Sequence, residues 1–154
     1  MIKKESGTDW FNKLVHGHFK IPYINPIPKF GSEIPKEAAL FINGDSNLIL
    51  ISCNYYAWCI KMLRLKFMGN LDVSLKWLSQ SELTPIYDRH STADIICLVN
   101  LFEEQKKGML GGFVNTCLNN GSQLLIGVPE GKILNEAFPY DLDTLEHEFE
   151  VLKI

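Results

Sequence analysis

Three stretches of the chain are apolar almost without interruption: Leu48-Ile49-Leu50-Ile51 running into Ser52, Ile95-Ile96-Cys97-Leu98-Val99, and Leu124-Leu125-Ile126-Gly127-Val128. Short continuous apolar runs bounded by turn residues are the pattern of strands buried on both faces. Two further runs, Val73 to Leu78 and Phe149 to Ile154, admit Ser74, Lys76, Glu150 and Lys153, as strands at the edges of a sheet do. Between the strands the apolar period changes. Pro35 to Phe41 opens as a helix and is closed by Asn43-Gly44-Asp45, and Trp58 to Met68 is helical up to Gly69-Asn70. Glu103 to Asn119 places Leu110, Phe113, Val114, Cys117 and Leu118 at helical spacing and stops at Asn120-Gly121. Gly108, Gly111 and Gly112 each cost that helix about 1 kcal/mol relative to alanine, so its first half is expected to fray or bend.

Ser79 to Asp88 reads as a connector with a short helical turn before Pro85, and Pro129 to Glu148 as a loop with short helical pieces. Strands alternating with helices predict an α/β fold: a five-stranded parallel sheet with helices on both faces. The order 5-1-4-3-2 puts the two polar strands at the edges, as their composition requires. Residues 1–33 form an extended lead-in, with a helix start at Asp9 to Val15 and Pro22, Pro26 and Pro28 behind it; residues 34–154 form the core.

Composition adds bounds rather than detail. A chain of 154 residues, 46% hydrophobic and 21% charged, is long enough for one buried core. No apolar run approaches the ~18 residues of a membrane span, and the lysines at Lys3 and Lys4 are followed by no apolar signal segment, so a cytoplasmic protein is expected. Cys53, Cys59, Cys97 and Cys117 form no C-x-x-C pair and are expected to be reduced and mostly buried. His16 and His18 alternate on an extended segment without a third ligand, a surface pattern rather than a metal site. The net charge of -3 conceals a division: residues 1–78 hold ten Lys/Arg against six Asp/Glu, residues 79–154 five against twelve. Such a dipolar surface suits a protein partner; a nucleic-acid backbone would call for a basic domain.

Candidate chemistry gathers at Ser52 to Cys59, where a buried strand gives way to a helix, the position at which α/β proteins hold phosphates. A phosphate loop G-x-x-x-x-G-K-[ST] laid on these residues puts Ser52 and Ala57 at the glycines, Trp58 at the lysine and Cys59 at the hydroxyl residue. Cys53 also stands where an activated nucleophile would feel the helix N-terminus, with His90 or His147 as base and Asp88 or Asp94 as orienter, although the turn lacks an elbow's small residues. Tyr55, Tyr56 and Trp58 could instead present aromatic rings to a base or a partner's apolar side chain.

From about Ile34 onward the chain resembles the core of AAA+ ATPases of the bacterial replication-initiation group, the DnaA-type initiators, their regulatory relatives and the DnaC-type helicase loaders. The residues that carry the resemblance are Glu37-Ala38-Ala39 before the first strand, the phosphate-loop-length turn with Asn54, and Leu75 to Leu83. Asp94 to Leu101 lies at the Walker B strand, Phe113-Val114-Asn115 in the next helix, Gly121 to Val128 at the sensor strand, and Pro139-Tyr140-Asp141-Leu142 at the family's Pro-Asp-Leu. The resemblance implies a P-loop NTPase-like core from which the chemistry has been erased. Trp58 replaces the Walker A lysine, Val99 and Asn100 replace the acidic pair, arginine is absent after Arg89 where finger and sensor arginines belong, and no lid domain is expected after the fifth strand. The implied function is a catalytically inactive pseudo-ATPase that binds protein and regulates DNA replication initiation or helicase loading, with no cofactor and no metal. Its partner would be a replication initiator, helicase, helicase loader or second copy of itself, met at Tyr55, Tyr56 and Trp58, without direct nucleic-acid binding. The alternative is a cysteine-dependent hydrolase using Cys53.

Overall fold

The computed structural model describes residues 28–67, 73–79, 93–99, 109–131 and 147–154. In chain order the elements are α1 (Lys36–Ile42), β1 (Asn47–Ser52), α2 (Tyr55–Phe67), β2 (Leu75–Ser79), β3 (Ile95–Val99), α3 (Met109–Asn119), β4 (Gln123–Pro129) and β5 (Phe149–Lys153). The strands form one sheet in the order β2-β3-β4-β1-β5, every pairing parallel. This is the predicted order, with the strands of mixed polarity at the two edges. In register, Leu48 lies between Leu125 on β4 and Glu150 on β5.

Alternation along the strands sorts the core into two layers. Leu48, Leu50, Leu75, Trp77, Ile95, Cys97, Val99, Leu125 and Leu152 face α1 and α2, where Phe41, Cys59, Met62 and Leu63 meet them. Ile49, Ile51, Ile96, Leu98, Leu124, Ile126, Val128 and Phe149 face Phe113, Val114 and Cys117 of α3. A strand with both parities buried is apolar along its interior, which is why β3 and the middles of β1 and β4 are.

Helix ends follow local chemistry. Gly44, at φ 85°, closes α1: its N–H donates to the Phe41 carbonyl at 3.1 Å and that of Asp45 to the Leu40 carbonyl at 2.8 Å. The same bond pair closes α3, from Gly121 to Leu118 and from Ser122 to Cys117, as the turn residues at both places predict. From the last turn of α2, the Lys66 ammonium donates to the carbonyls of Phe41 and Ile42 at 3.2 and 3.4 Å and lies 5.4 Å from the centre of the Phe41 ring. One cation thus serves the carboxyl end of α1, where carbonyls lack intrahelical partners. Burial lowers the Lys66 pKa, against the opposing pull of Asp45.

Three boundaries depart from the sequence reading. Helix α2 begins at Tyr55 rather than Trp58 and ends at Phe67, and β2 spans Leu75–Ser79 rather than starting at Val73. The described part of α3 starts at Met109; the expected extension back to Glu103 lies outside the described residues, as do the lead-in before residue 28, the 80–92 connector and the 132–146 loop. Residues 28–35 have neither helix nor strand, with a bend at Ser32 and Glu33. Among the described residues no helix is long and apolar enough to cross a membrane.

Candidate functional site

Because all strands are parallel, their carboxyl ends share one edge of the sheet. Helix α2 leaves β1 over one face while α3, which follows β3, packs on the other, so the connections diverge beside β1 and β4. Open α/β sheets place their ligand crevice at such a switch point.

The connection from β1 to α2 contains just Cys53 and Asn54, both exposed. Ser52, itself buried, accepts the N–H of Asn54 on its hydroxyl at 3.1 Å, and the Asn54 carbonyl accepts the N–H of Trp58 at 3.2 Å to open the helix. The predicted phosphate-loop-length turn over Ser52 to Cys59 is therefore corrected. Ser52 is still strand, while Ala57, Trp58 and Cys59 are already helix, so no backbone arch exists to surround a phosphate. The helix opens at the Asn54 carbonyl, which accepts the Trp58 N–H, and burial of Tyr55 outweighs tyrosine's modest helix propensity.

Burial also corrects the reading of Tyr55 as a rim residue. It is 8% exposed and belongs to the core layer under α2. Its ring covers Gly127, where a Cβ would stand 2.7 Å from Tyr55 Cδ2 and 2.9 Å from Cys59 Sγ. Any other residue at 127 would drive the first turn of α2 off β4. Burial, followed by a side-chain hydrogen bond with Tyr56, raises the Tyr55 phenol pKa well above its ordinary value of 10.0. The two tyrosine rings stack at 4.4 Å between centroids, 27° from parallel. Tyr56 and Trp58 are half-buried and pack against the same layer from outside, and Trp58 meets Phe30 at 5.0 Å and 37°. Of the three predicted contact residues, then, Tyr56 and Trp58 remain partly accessible and Tyr55 supports them from within.

Cys53 is exposed, as a nucleophile would have to be, whereas Cys59, Cys97 and Cys117 are buried; all four are free thiols, as expected. Burial, with a hydrogen bond to Cys59, pushes the Cys97 thiol pKa up and makes it inert. Two of the residues considered as partners for Cys53 are misplaced. Asp94 precedes β3 and His147 precedes β5, which puts both at the amino edge, while Cys53 follows β1 at the carboxyl edge. The length of a strand, about 17–20 Å, separates the two edges. His90 and Asp88 lie outside the described residues, as do His16, His18, Asn100, Glu103 and Glu104. Among the described residues no three His, Cys, Asp or Glu side chains gather as metal ligands.

Two residues that shape this region were given no role in the sequence reading. Gly127 had a signal, a glycine inside an apolar strand, which marks close approach of another element. Phe30 had none, since its partner Trp58 is remote in sequence. In comparisons with known proteins, no family model matches the chain and no curated protein matches it.

Proposed function

We propose that the chain is a non-hydrolysing α/β module, built on a P-loop NTPase-like strand order, that acts by binding a protein. The observation behind this reading is the turn itself: it is two residues long, and the Tyr55 that follows it is packed into the core against Gly127. Phosphate capture at such an edge uses a run of backbone N–H groups, a lysine and glycines that let the backbone approach. This turn offers none of that set. Its outward residues are instead Cys53, Asn54, Tyr56 and Trp58, an aromatic and polar mixture of the kind that anchors protein interfaces. The partner proposed is a replication initiator, a helicase or a helicase loader, or a second copy of the chain. That choice rests on the AAA+ resemblance, whose members meet their neighbours along this edge, and on the acidic second half of the chain, which favours a basic partner surface.

The test is a direct binding titration of the purified chain with each of these proteins from the same host, repeated with Tyr56→Ala combined with Trp58→Ala. The expected result is a complex with one of them, weakened by well over tenfold in the double variant and weakened also by added salt. If the double variant binds like the parent while charge reversal at Glu130, Asp141 and Asp143 abolishes binding, the interface lies on the acidic side instead. The hydrolase reading retains only Cys53 of its described residues, and no observation favours it over the binding module.

A further inference from the structure

Residues 28–34 run into α1 in a way that sets them apart from the rest of the described chain. They contain no helix or strand, and among the described residues the first backbone hydrogen bond from this end is that of the Ala39 N–H to the Pro35 carbonyl, at 2.9 Å. Ser32, Glu33 and Ile34 are exposed, Ile34 at 48%, and a side chain at Gly31 would meet nothing within 4 Å. Pro28 and Phe30 are half-buried; the Phe30 ring sits 5.0 Å from that of Trp58, and both rings pack on the core layer that α2 covers.

A segment seated on the body by a tilted aromatic contact and, among the described residues, without a ladder of backbone bonds opens far more readily than a strand. The residue beneath that contact is one of the two partly accessible aromatics of the candidate interface. We infer that residues 28–34 form a releasable strap, with Phe30 occupying in cis a seat on Trp58 that an aromatic side chain on a partner's extended segment takes in trans. In the free chain the strap shields the α2 surface; on binding it is displaced. The partner's contact segment accordingly has the character of what it replaces, an extended stretch free of backbone pairing with one exposed aromatic ring. The trans half of this inference rests on α2 being the binding face. The strap itself rests on the Phe30–Trp58 contact and the missing backbone bonds.

Competition makes it testable, because a tethered segment acts on its own seat at millimolar effective concentration and masks that seat from a free copy. A labelled synthetic peptide of residues 28–34 is titrated against the full chain, against Phe30→Ala and against Phe30→Ala combined with Trp58→Ala, alongside thermal melting of each. The expected result is that Phe30→Ala melts close to the parent and binds the peptide at least about tenfold more tightly than the parent does, and that adding Trp58→Ala removes the binding. The inference is overturned if the peptide binds parent and Phe30→Ala alike, if it binds neither, or if Phe30→Ala unfolds as a core variant would. Failure of the replication proteins to bind would sink the functional reading and leave the peptide result standing, so the two are separable.

Discussion

The two edges of the sheet are built on different principles. At the amino edge, side chains are stitched to backbone. Asn47 accepts the N–H of Leu124 at 2.8 Å and donates to the Glu148 carbonyl at 3.3 Å, while the Gln123 amide donates to the carbonyls of Phe41 and Ser46 at 2.8 and 2.7 Å. The Asp94 carboxylate accepts the N–H and hydroxyl of Ser74 at 2.9 and 3.0 Å, and the Ser74 hydroxyl accepts the Asp94 N–H in return. Ser122 adds a buried bond to the Ala93 carbonyl. These contacts tie the starts of all five strands together and set their register. At the carboxyl edge, among the described residues, the Ser52 hydroxyl accepts the Asn54 N–H, backbone N–H groups of Glu130 and Ile154 donate to the carbonyls of Ser52 and Ile51, and Tyr55 packs on Gly127. Directional bonds specify geometry, whereas aromatic packing fills volume and leaves the outermost rings partly accessible. The contrast puts directional bonds at one edge and partly accessible rings at the other, where the proposed recognition would take place.

Substitutions sharpen that contrast in order of size. The largest effects belong under the aromatic plug: Tyr55→Ala leaves a cavity over Gly127, and Gly127→Leu forces Tyr55 and Cys59 away, each expected to cost about 3 kcal/mol or more in denaturant unfolding. Tyr55 is therefore not a residue that can be removed with the fold left intact, as a position in a surface loop would be. Next comes the amino edge, where Gln123→Leu strands two carbonyls and is expected to cost about 2 kcal/mol, and Asp94→Ala about 1–2 kcal/mol. If Asp94→Ala and Gln123→Leu prove neutral, the stitched edge does not set the register and the contrast fails.

Alkaline pH offers a smaller handle. The folded-state pKa values of Tyr55 and Cys97 are both raised above their ordinary 10.0 and 9.0, so the stability they contribute is complete below those values and declines as pH rises through them, when the unfolded chain can ionise and the folded one cannot. Lys66, whose pKa is lowered, acts in the opposite sense. The slope of stability against pH above 10 should become shallower in Tyr55→Phe, a change read by urea unfolding at a series of pH values. The smallest effect on stability, less than about 1 kcal/mol, is expected for Tyr56→Ala, although it should weaken partner binding. Thiol labelling adds a check with little energetic consequence: iodoacetamide should modify Cys53 in the native chain and reach Cys59, Cys97 and Cys117 on unfolding.

Much of the architecture was legible because burial leaves a signature in one dimension. The uninterrupted apolar runs at Leu48, Ile95 and Leu124 and the mixed ones ending at Leu78 and Ile154 separated the central strands of the sheet from its two edges. The site was less legible, since its features depend on contacts between distant residues. Two adjacent tyrosines after a strand look like a loop until Gly127 is seen to make room for one of them. Trp58 looks like an exposed rim residue until Phe30 is found against it. A turn of phosphate-loop length is indistinguishable in sequence from a two-residue turn followed by a helix, because the difference lies in whether the helix opens at Asn54.

The central proposal is that the turn between β1 and α2 holds no nucleotide. Isothermal calorimetry of the full chain with ATP and Mg²⁺ at neutral pH tests it most directly. The account predicts no binding heat at millimolar nucleotide, in the parent and in Trp58→Lys alike, because a single lysine does not rebuild the missing arch. Micromolar, Mg²⁺-dependent binding of ATP to the parent chain would contradict it.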